Sequence, residues 1–171
     1  MKNLLLIRHA KSSWDDASLG DRERSLNKRG KRDAPYMGKL LLERGLKPDA
    51  LLSSPAKRAL KTAKLIAEEI DFPKKRIDIL EDLYEQGLNA LLEVVARLDD
   101  GWERVALIGH NPELTDLANH LTGAGIDNVP TCGLVSVEFS QEHWRDCARE
   151  GGRLALFERP PKLKPEGVAG E

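Results

Sequence analysis

Two arginines and two histidines stand where short apolar runs of this 171-residue chain give way to turns. The run Leu4-Leu5-Leu6-Ile7 ends in Arg8-His9-Ala10, Leu51-Leu52 ends in Ser53-Ser54-Pro55 with Arg58 just beyond, and Val105-Ala106-Leu107-Ile108 ends in Gly109-His110-Asn111-Pro112. A guanidinium fork matches the oxygens of a phosphate group, and exposed N–H groups at a helix start add donors to it. One neutral imidazole beside such an anion can act as the nucleophile that takes a phosphoryl group. The other can hydrogen-bond the group in transit and stabilise its charge, after which water releases phosphate. Arg58 falls in the first turn of a helix, where the helix dipole disfavours a cation, and a bound anion would relieve that cost.

These residues can cooperate only if the chain folds their strand ends together. Asn3–Arg8 reads as a buried strand, Lys11–Arg24 as a loop, and Ser25 as the cap of a helix running through Lys28 toward Arg44. In that helix Ala34, Met37, Leu41 and Arg44 follow helical spacing, Pro35 should kink it or mark a restart, and Gly45 stops it. Asp49–Ser53 is a second strand. Ser54 offers a capping hydroxyl before Pro55, and Ala56, Ala59, Leu60, Ala63, Ile66, Ala67 and Ile70 mark an amphipathic helix. Arg76–Leu80 reads as a strand, Leu88–Leu98 as a helix, Glu103–Gly109 as a strand apolar enough to be covered on both faces, and Asn111 to Leu121 as a helix. Gly133–Phe139 and Arg153–Phe157 complete a strand pair. The alternation predicts an α/β fold, a three-layer α/β/α sandwich on a mostly parallel sheet, and such sheets bind ligands beyond the carboxyl ends of their strands. One domain over residues 1–158 is expected, with a loose or surface-hugging tail from Arg159 to Glu171.

The blocks Leu6-Ile7-Arg8-His9-Ala10, Leu52-Ser53-Ser54-Pro55-Ala56-Lys57-Arg58-Ala59-Leu60-Lys61-Thr62-Ala63 and Ile108-Gly109-His110-Asn111-Pro112 resemble the three signature blocks of the histidine phosphatase superfamily, also called phosphoglycerate mutase-like. The Arg-His-Ala form and the short chain are similar to SixA-type phosphohistidine phosphatases. Asp21, Leu26 and Gly30 also match the family's spacing. The resemblance spans about residues 3–158. It implies that His9 is the phosphorylated nucleophile, that Arg8, Arg58 and His110 complete the phosphate pocket, that Ser12 touches substrate, and that Glu85 aligns with a general acid. Ala10 replaces the more usual glycine. Asp15 stands where many members carry an asparagine, so either the loop differs or Asp15 turns toward Lys11 or Arg24. No long insertion follows Glu85 to enclose a bisphosphorylated sugar acid, which argues against a mutase.

Composition narrows the remaining classes. Apolar residues make up 40% of the chain and charged ones 32%, enough for a core and incompatible with a disordered chain. Residues 1–64 carry 16 Lys and Arg against 7 Asp and Glu, while residues 65–171 carry 11 against 21. A basic half invites an anionic partner, yet only 5% of residues are aromatic and no basic-aromatic stacking pattern occurs, which sets nucleic acid aside. The apolar run Leu4-Leu5-Leu6-Ile7 is too short for a signal peptide or a membrane span, and Cys132 and Cys147 form no disulfide framework, so a reduced cytoplasmic protein is expected. No His/Cys/Asp/Glu cluster has metal-ligand spacing and no cofactor is implied. His120 and His143 receive no role, and Trp14 and Trp102 are expected to pack. The expected substrate is a phosphohistidine-bearing protein, with a small phosphorylated metabolite as the alternative. A non-catalytic phosphate-binding module would be marked by loss of His9.

Overall fold

The computed structural model describes residues 1–162; the expected tail lies outside the described residues beyond Lys162. Six strands, β1 (Lys2–Arg8), β2 (Ala50–Ser53), β3 (Asp78–Ile79), β4 (Arg104–Gly109), β5 (Leu134–Phe139) and β6 (Arg153–Glu158), form one sheet in the order β3-β2-β4-β1-β5-β6. The pairs β1–β4, β2–β4 and β2–β3 are parallel, and β5 runs antiparallel to both β1 and β6. The carboxyl ends of β1, β2 and β4 therefore share one edge, with Arg8 opposite Gly109 and Ser53 opposite Ile108.

Side chains alternate across a strand, so β1 feeds two cores. Leu5 and Ile7 join Met37, Leu41, Ala63 and Ile66 from helices α1 (Lys28–Glu43) and α2 (Lys57–Glu69) on one face. Leu4 and Leu6 join Leu91, Val95, Leu117 and Trp144 from α3 (Gly87–Ala96), α4 (Glu113–Thr122) and α5 (Trp144–Glu150) on the other. The result is the expected three-layer sandwich. No helix among the described residues is long and apolar enough to cross a membrane.

Several local expectations need correction. The cap of α1 is Asn27, whose side chain accepts from Gly30 N, and Ser25 lies outside the helix. Helix α1 continues through Pro35 without restarting. A mid-helix proline costs about 3 kcal/mol. Burial of Met37, Leu40 and Leu41 on that helix, at roughly 1.5–3 kcal/mol for each large side chain, offsets it. Arg76–Leu80 supplies only the two-residue edge strand β3, because Lys74–Arg76 and Glu81–Leu83 coil into 3-10 turns that carry Ile77 and Leu83 inward. Helix α5 fills the stretch between β5 and β6, for which the sequence predicts no element, anchored by Trp144 buried on the sheet. Within the Lys11–Arg24 loop, Asp21–Glu23 forms a 3-10 turn and Ser12 pairs with Leu26 across a single bridge.

Candidate active site

At the common edge the structure brings Arg8, His9, Arg58, His110 and Glu85 together on one cleft of about 240 Å³, together with Asp21, Arg24, Tyr84, Asn111 and Glu113. Ser12 is not on its wall. It is buried, and its Oγ accepts from Arg24 at 2.8 Å, so it reaches the cleft only through that arginine.

His9 is held from every side of its backbone. Its N–H donates to Gly109 O at 3.0 Å, and its carbonyl accepts from Cys132 N, which ties the end of β1 to β4 and to the loop before β5. Ala10 N donates to Thr62 Oγ1 on α2 at 3.0 Å, and that hydroxyl donates to Arg58 O. His9 Nδ1 lies 2.8 Å from Ala10 O. A carbonyl can only accept, so Nδ1 carries the proton and the lone pair sits on Nε2. Burial pushes the pKa of His9 down to about 3; the bond to Ala10 O opposes this, while His110, Arg58 and Arg8 add to it. The imidazole is thus neutral and nucleophilic across the physiological range.

His110 packs 5.1 Å from the His9 ring, centroid to centroid, and 5.3 Å edge-on from Tyr84. Its Nε2 is 2.8 Å from Ser54 Oγ, and Arg58 Nη2 approaches Nδ1 at 3.4 Å. Ser54 does not cap α2, whose cap is Ala56 with no side-chain bond; its hydroxyl takes the Ala56 N–H and orients His110. Burial, then the positive charge of Arg58, lowers the His110 pKa to about 4 against the pull of Asp21.

Three guanidinium groups converge here. Arg8 Nη1 donates to Val129 O at 3.0 Å, the carbonyl that also accepts from Asn111 Nδ2. Arg58 is 5% exposed and spans Asp21 through Nη1 to the main-chain oxygen (2.6 Å) and Nη2 to the carboxylate (2.9 Å). The buried Nε groups of Arg8, Arg24 and Arg58 have no acceptor among the described residues. Unsatisfied buried donors are costly, and here the cost falls on the three arginines that line the cleft.

The carboxylates divide the cleft between them. Tyr84 Oη donates to Asp21 Oδ2 at 2.6 Å. Partial burial works against ionisation of Asp21, but the bonds from Tyr84 and Arg58 and the charges of Arg58 and Arg24 prevail and hold it at about 2. Glu85 sits at φ +54°, a left-handed conformation unusual for a side chain with Cβ, and such strain concentrates at functional positions. Glu113, the first residue of α4, has its pKa raised by burial and by the neighbouring charges of Glu85 and Asp116. Asp21, Arg24, Tyr84 and Glu113 were given no chemical role from the sequence; Tyr84 and Glu113 each lie within three residues of a motif residue, but only the fold turns them inward.

The loop differs from expectation around Asp15, which is exposed and takes a turn bond from its own N–H to Ser13 Oγ rather than meeting Lys11 or Arg24. Arg24 instead pairs with Asp21 and stacks 3.4 Å over Trp14, which is 72% exposed and does not join the core. Trp102 does pack against the sheet. His143 pairs with Asp100, and His120 is exposed in the last turn of α4.

Known proteins share this fold. The family model described as histidine phosphatase superfamily (branch 1) matches residues 4–91. An uncharacterized protein of Mycobacterium tuberculosis is 31% identical over 164 residues, covering 90% of this chain and 99% of that one. A solved Agrobacterium tumefaciens chain named as a phosphohistidine phosphatase SixA superposes with a TM-score of 0.78 at 26% identity, over 93% of this chain and 98% of that one. A protein histidine phosphatase SixA solved with tungstate shares the fold at a TM-score of 0.79 and 20% identity, over 92% and 97% of the two chains. The chain is a phosphatase with a SixA-like core and belongs to branch 1 of the histidine phosphatase superfamily.

Proposed function

We propose that this phosphatase works through a phospho-His9 intermediate without a metal ion, and that its substrate is a protein phosphorylated on histidine. His9 Nε2 attacks phosphorus, the bond to the leaving group breaks, and a Nε2–P bond forms. Water then attacks phosphorus, the Nε2–P bond breaks, and inorganic phosphate leaves. Arg8 and Arg58 neutralise the equatorial oxygens, and His110, positioned by Ser54, supports the same charge. Glu85 gives the leaving group its proton where one is needed.

The observation that carries the mechanism is the 2.8 Å contact of His9 Nδ1 with Ala10 O, which selects the tautomer with a free Nε2. The substrate reading rests on the shape of the cleft. From Leu83 the chain passes through Tyr84, Glu85 and Gln86 directly into α3, so no inserted segment covers the site. A polar cleft with no segment laid over it admits a side chain presented by a protein surface, and a protonated imidazole leaves without much help. The tungstate held by the SixA protein of the same fold, an oxyanion resembling phosphate, favours an oxyanion pocket here.

The test is phosphate release, with EDTA present, from a carrier domain phosphorylated on histidine and from a panel of phosphomonoesters. Release from the carrier far faster than from any ester, lost in His9→Ala, is expected. Broad ester hydrolysis lost in the same variant would keep the mechanism and assign small metabolites as substrates. Release that survives His9→Ala would overturn the mechanism, and binding of phosphorylated carrier with no release from any substrate would indicate a binding module.

A further inference from the structure

Beside the cleft lies a second hollow, about 410 Å³, lined by Ser25, Leu26, Lys31, Lys57, Leu60, Lys61 and Lys64. The two share walls: Arg24 and Arg58 line the cleft, and their neighbours Ser25 and Lys57 line the groove. Lys57, Lys61 and Lys64 recur at helical spacing on the solvent side of α2, facing Lys31 at the start of α1. All four lysines are exposed, and none lies within salt-bridge distance of a carboxylate among the described residues. Elsewhere on α1 the pattern differs, for Arg29 and Arg32 both reach Asp33.

The placement also runs against local electrostatics. Neither α1 nor α2 has an acidic residue in its first turn, where the helix dipole favours one, and both carry cations there instead. Folding alone would not select this arrangement. A partner bearing negative charge would reverse the sign of the local cost.

Resting on the phosphoprotein reading above, we propose that this groove docks an acidic surface of the phosphorylated protein, holding it while its phosphoryl group enters the adjoining cleft. Leu26 and Leu60 provide an apolar floor between the lysines, which suits an amphipathic acidic segment of a protein. No aromatic side chain lines the groove to stack a base, which favours protein over nucleic acid. Rows of unpaired charge at such a rim accelerate encounter and set partner choice.

The test compares wild type with the triple variant Lys31→Glu, Lys61→Glu, Lys64→Glu on two substrates: an acidic carrier domain phosphorylated on histidine, and phosphoramidate. These side chains are solvent-facing and outside the cleft, and thermal melting checks that the variant folds. We expect kcat/KM on the carrier to fall at least about tenfold, the order seen for electrostatically steered association, and its salt dependence to flatten, while turnover of phosphoramidate stays within about twofold, as expected of residues that touch only the partner. A wild type active on the carrier whose variant keeps full kcat/KM on it overturns the docking role alone. A wild type that turns over phosphoramidate but never the carrier overturns the phosphoprotein reading, and the docking role with it. Loss on both substrates to the same degree assigns the lysines to the general field of the cleft and also overturns the proposal.

Discussion

The carboxylate of Asp21 lies 2.9 Å from Nη2 of Arg58, while its main-chain oxygen takes Nη1 of the same guanidinium at 2.6 Å. The arginine that should grip a phosphoryl group is thus already engaged by an anion from the loop after β1. That engagement orients Arg58, and it also sets a negative charge against any incoming phosphate. Replacing Asp21 by Asn keeps the main-chain contact and the side-chain shape while removing the charge. Orthophosphate should then inhibit more strongly, with Ki lowered about five- to tenfold at low ionic strength, as expected for one unit charge a few ångströms away in a partly solvated cleft. Weaker inhibition would mean that Asp21 serves the anion site only as a positioning residue.

Arg58 should be intolerant of conservative change. A lysine keeps the charge but cannot hold the fork that joins Asp21 to a phosphate. Arg58→Lys is expected to lower kcat/KM by on the order of 10²-fold, the loss of a charge-assisted bidentate contact. Steady-state kinetics on the best substrate measures this, and a loss under threefold would contradict the role.

Acid should switch the enzyme off late. His9 and His110 have pKa values lowered to about 3 and about 4, chiefly by burial, so both are neutral down to mildly acidic pH. The acid limb of kcat/KM, which reports the free enzyme, should therefore fall below about pH 5 rather than near the ordinary histidine value of about 6.5. Stability carries the same sign. The unfolded chain takes up protons that the folded histidines refuse, so their contribution is complete above about pH 6.5 and declines as pH falls toward 4 and then 3. Thermal melting against pH checks this, and a wild type whose Tm does not fall between pH 6.5 and 4 would contradict it.

Glu85 separates leaving groups. A departing alkoxide needs a proton, worth on the order of 10²–10⁴-fold, whereas a protonated imidazole does not. Glu85→Gln should depress hydrolysis of a phosphomonoester by at least about 10²-fold while leaving phosphohistidine turnover within about threefold. The same pair of assays on Glu113→Gln distinguishes the two carboxylates of the cleft. Equal losses on both substrates for Glu85→Gln would remove it as the acid.

Thr62 tests the scaffold beneath the nucleophile. Thr62→Val preserves shape but leaves the buried Ala10 N–H without its acceptor at 3.0 Å. The expected cost is about 1–3 kcal/mol of stability. Urea denaturation reads it, and kcat should fall with it because His9 Nδ1 leans on the same residue, Ala10.

How much of this was legible beforehand follows from the kind of signal each feature leaves. The strands ending at Arg8, Ser53 and Gly109 are apolar runs broken abruptly by polar residues, and a covered parallel sheet imposes that pattern directly, so their convergence could be read from the chain. Asp21 and Tyr84 leave no such mark: one belongs to a loop without period, the other to the turn before α3, and they meet across 63 positions. Ser54 reads as a helix cap because a hydroxyl before Pro55 satisfies the local rule equally well, whereas its bond to His110 spans 56 positions. Helix α5 escaped because its seven residues owe their place to one buried side chain, Trp144, rather than to a repeating face.

What distinguishes this mechanism most directly is where the phosphoryl group goes. Enzyme mixed rapidly with histidine-phosphorylated carrier or phosphoramidate, quenched in alkali and mapped by peptide mass spectrometry, should carry an acid-labile, alkali-stable phosphoryl group on His9. That species should form and decay at rates that account for turnover, and it should be absent in His9→Ala. Turnover with no phosphoenzyme, or with the group on His110 or any other residue, would contradict the account.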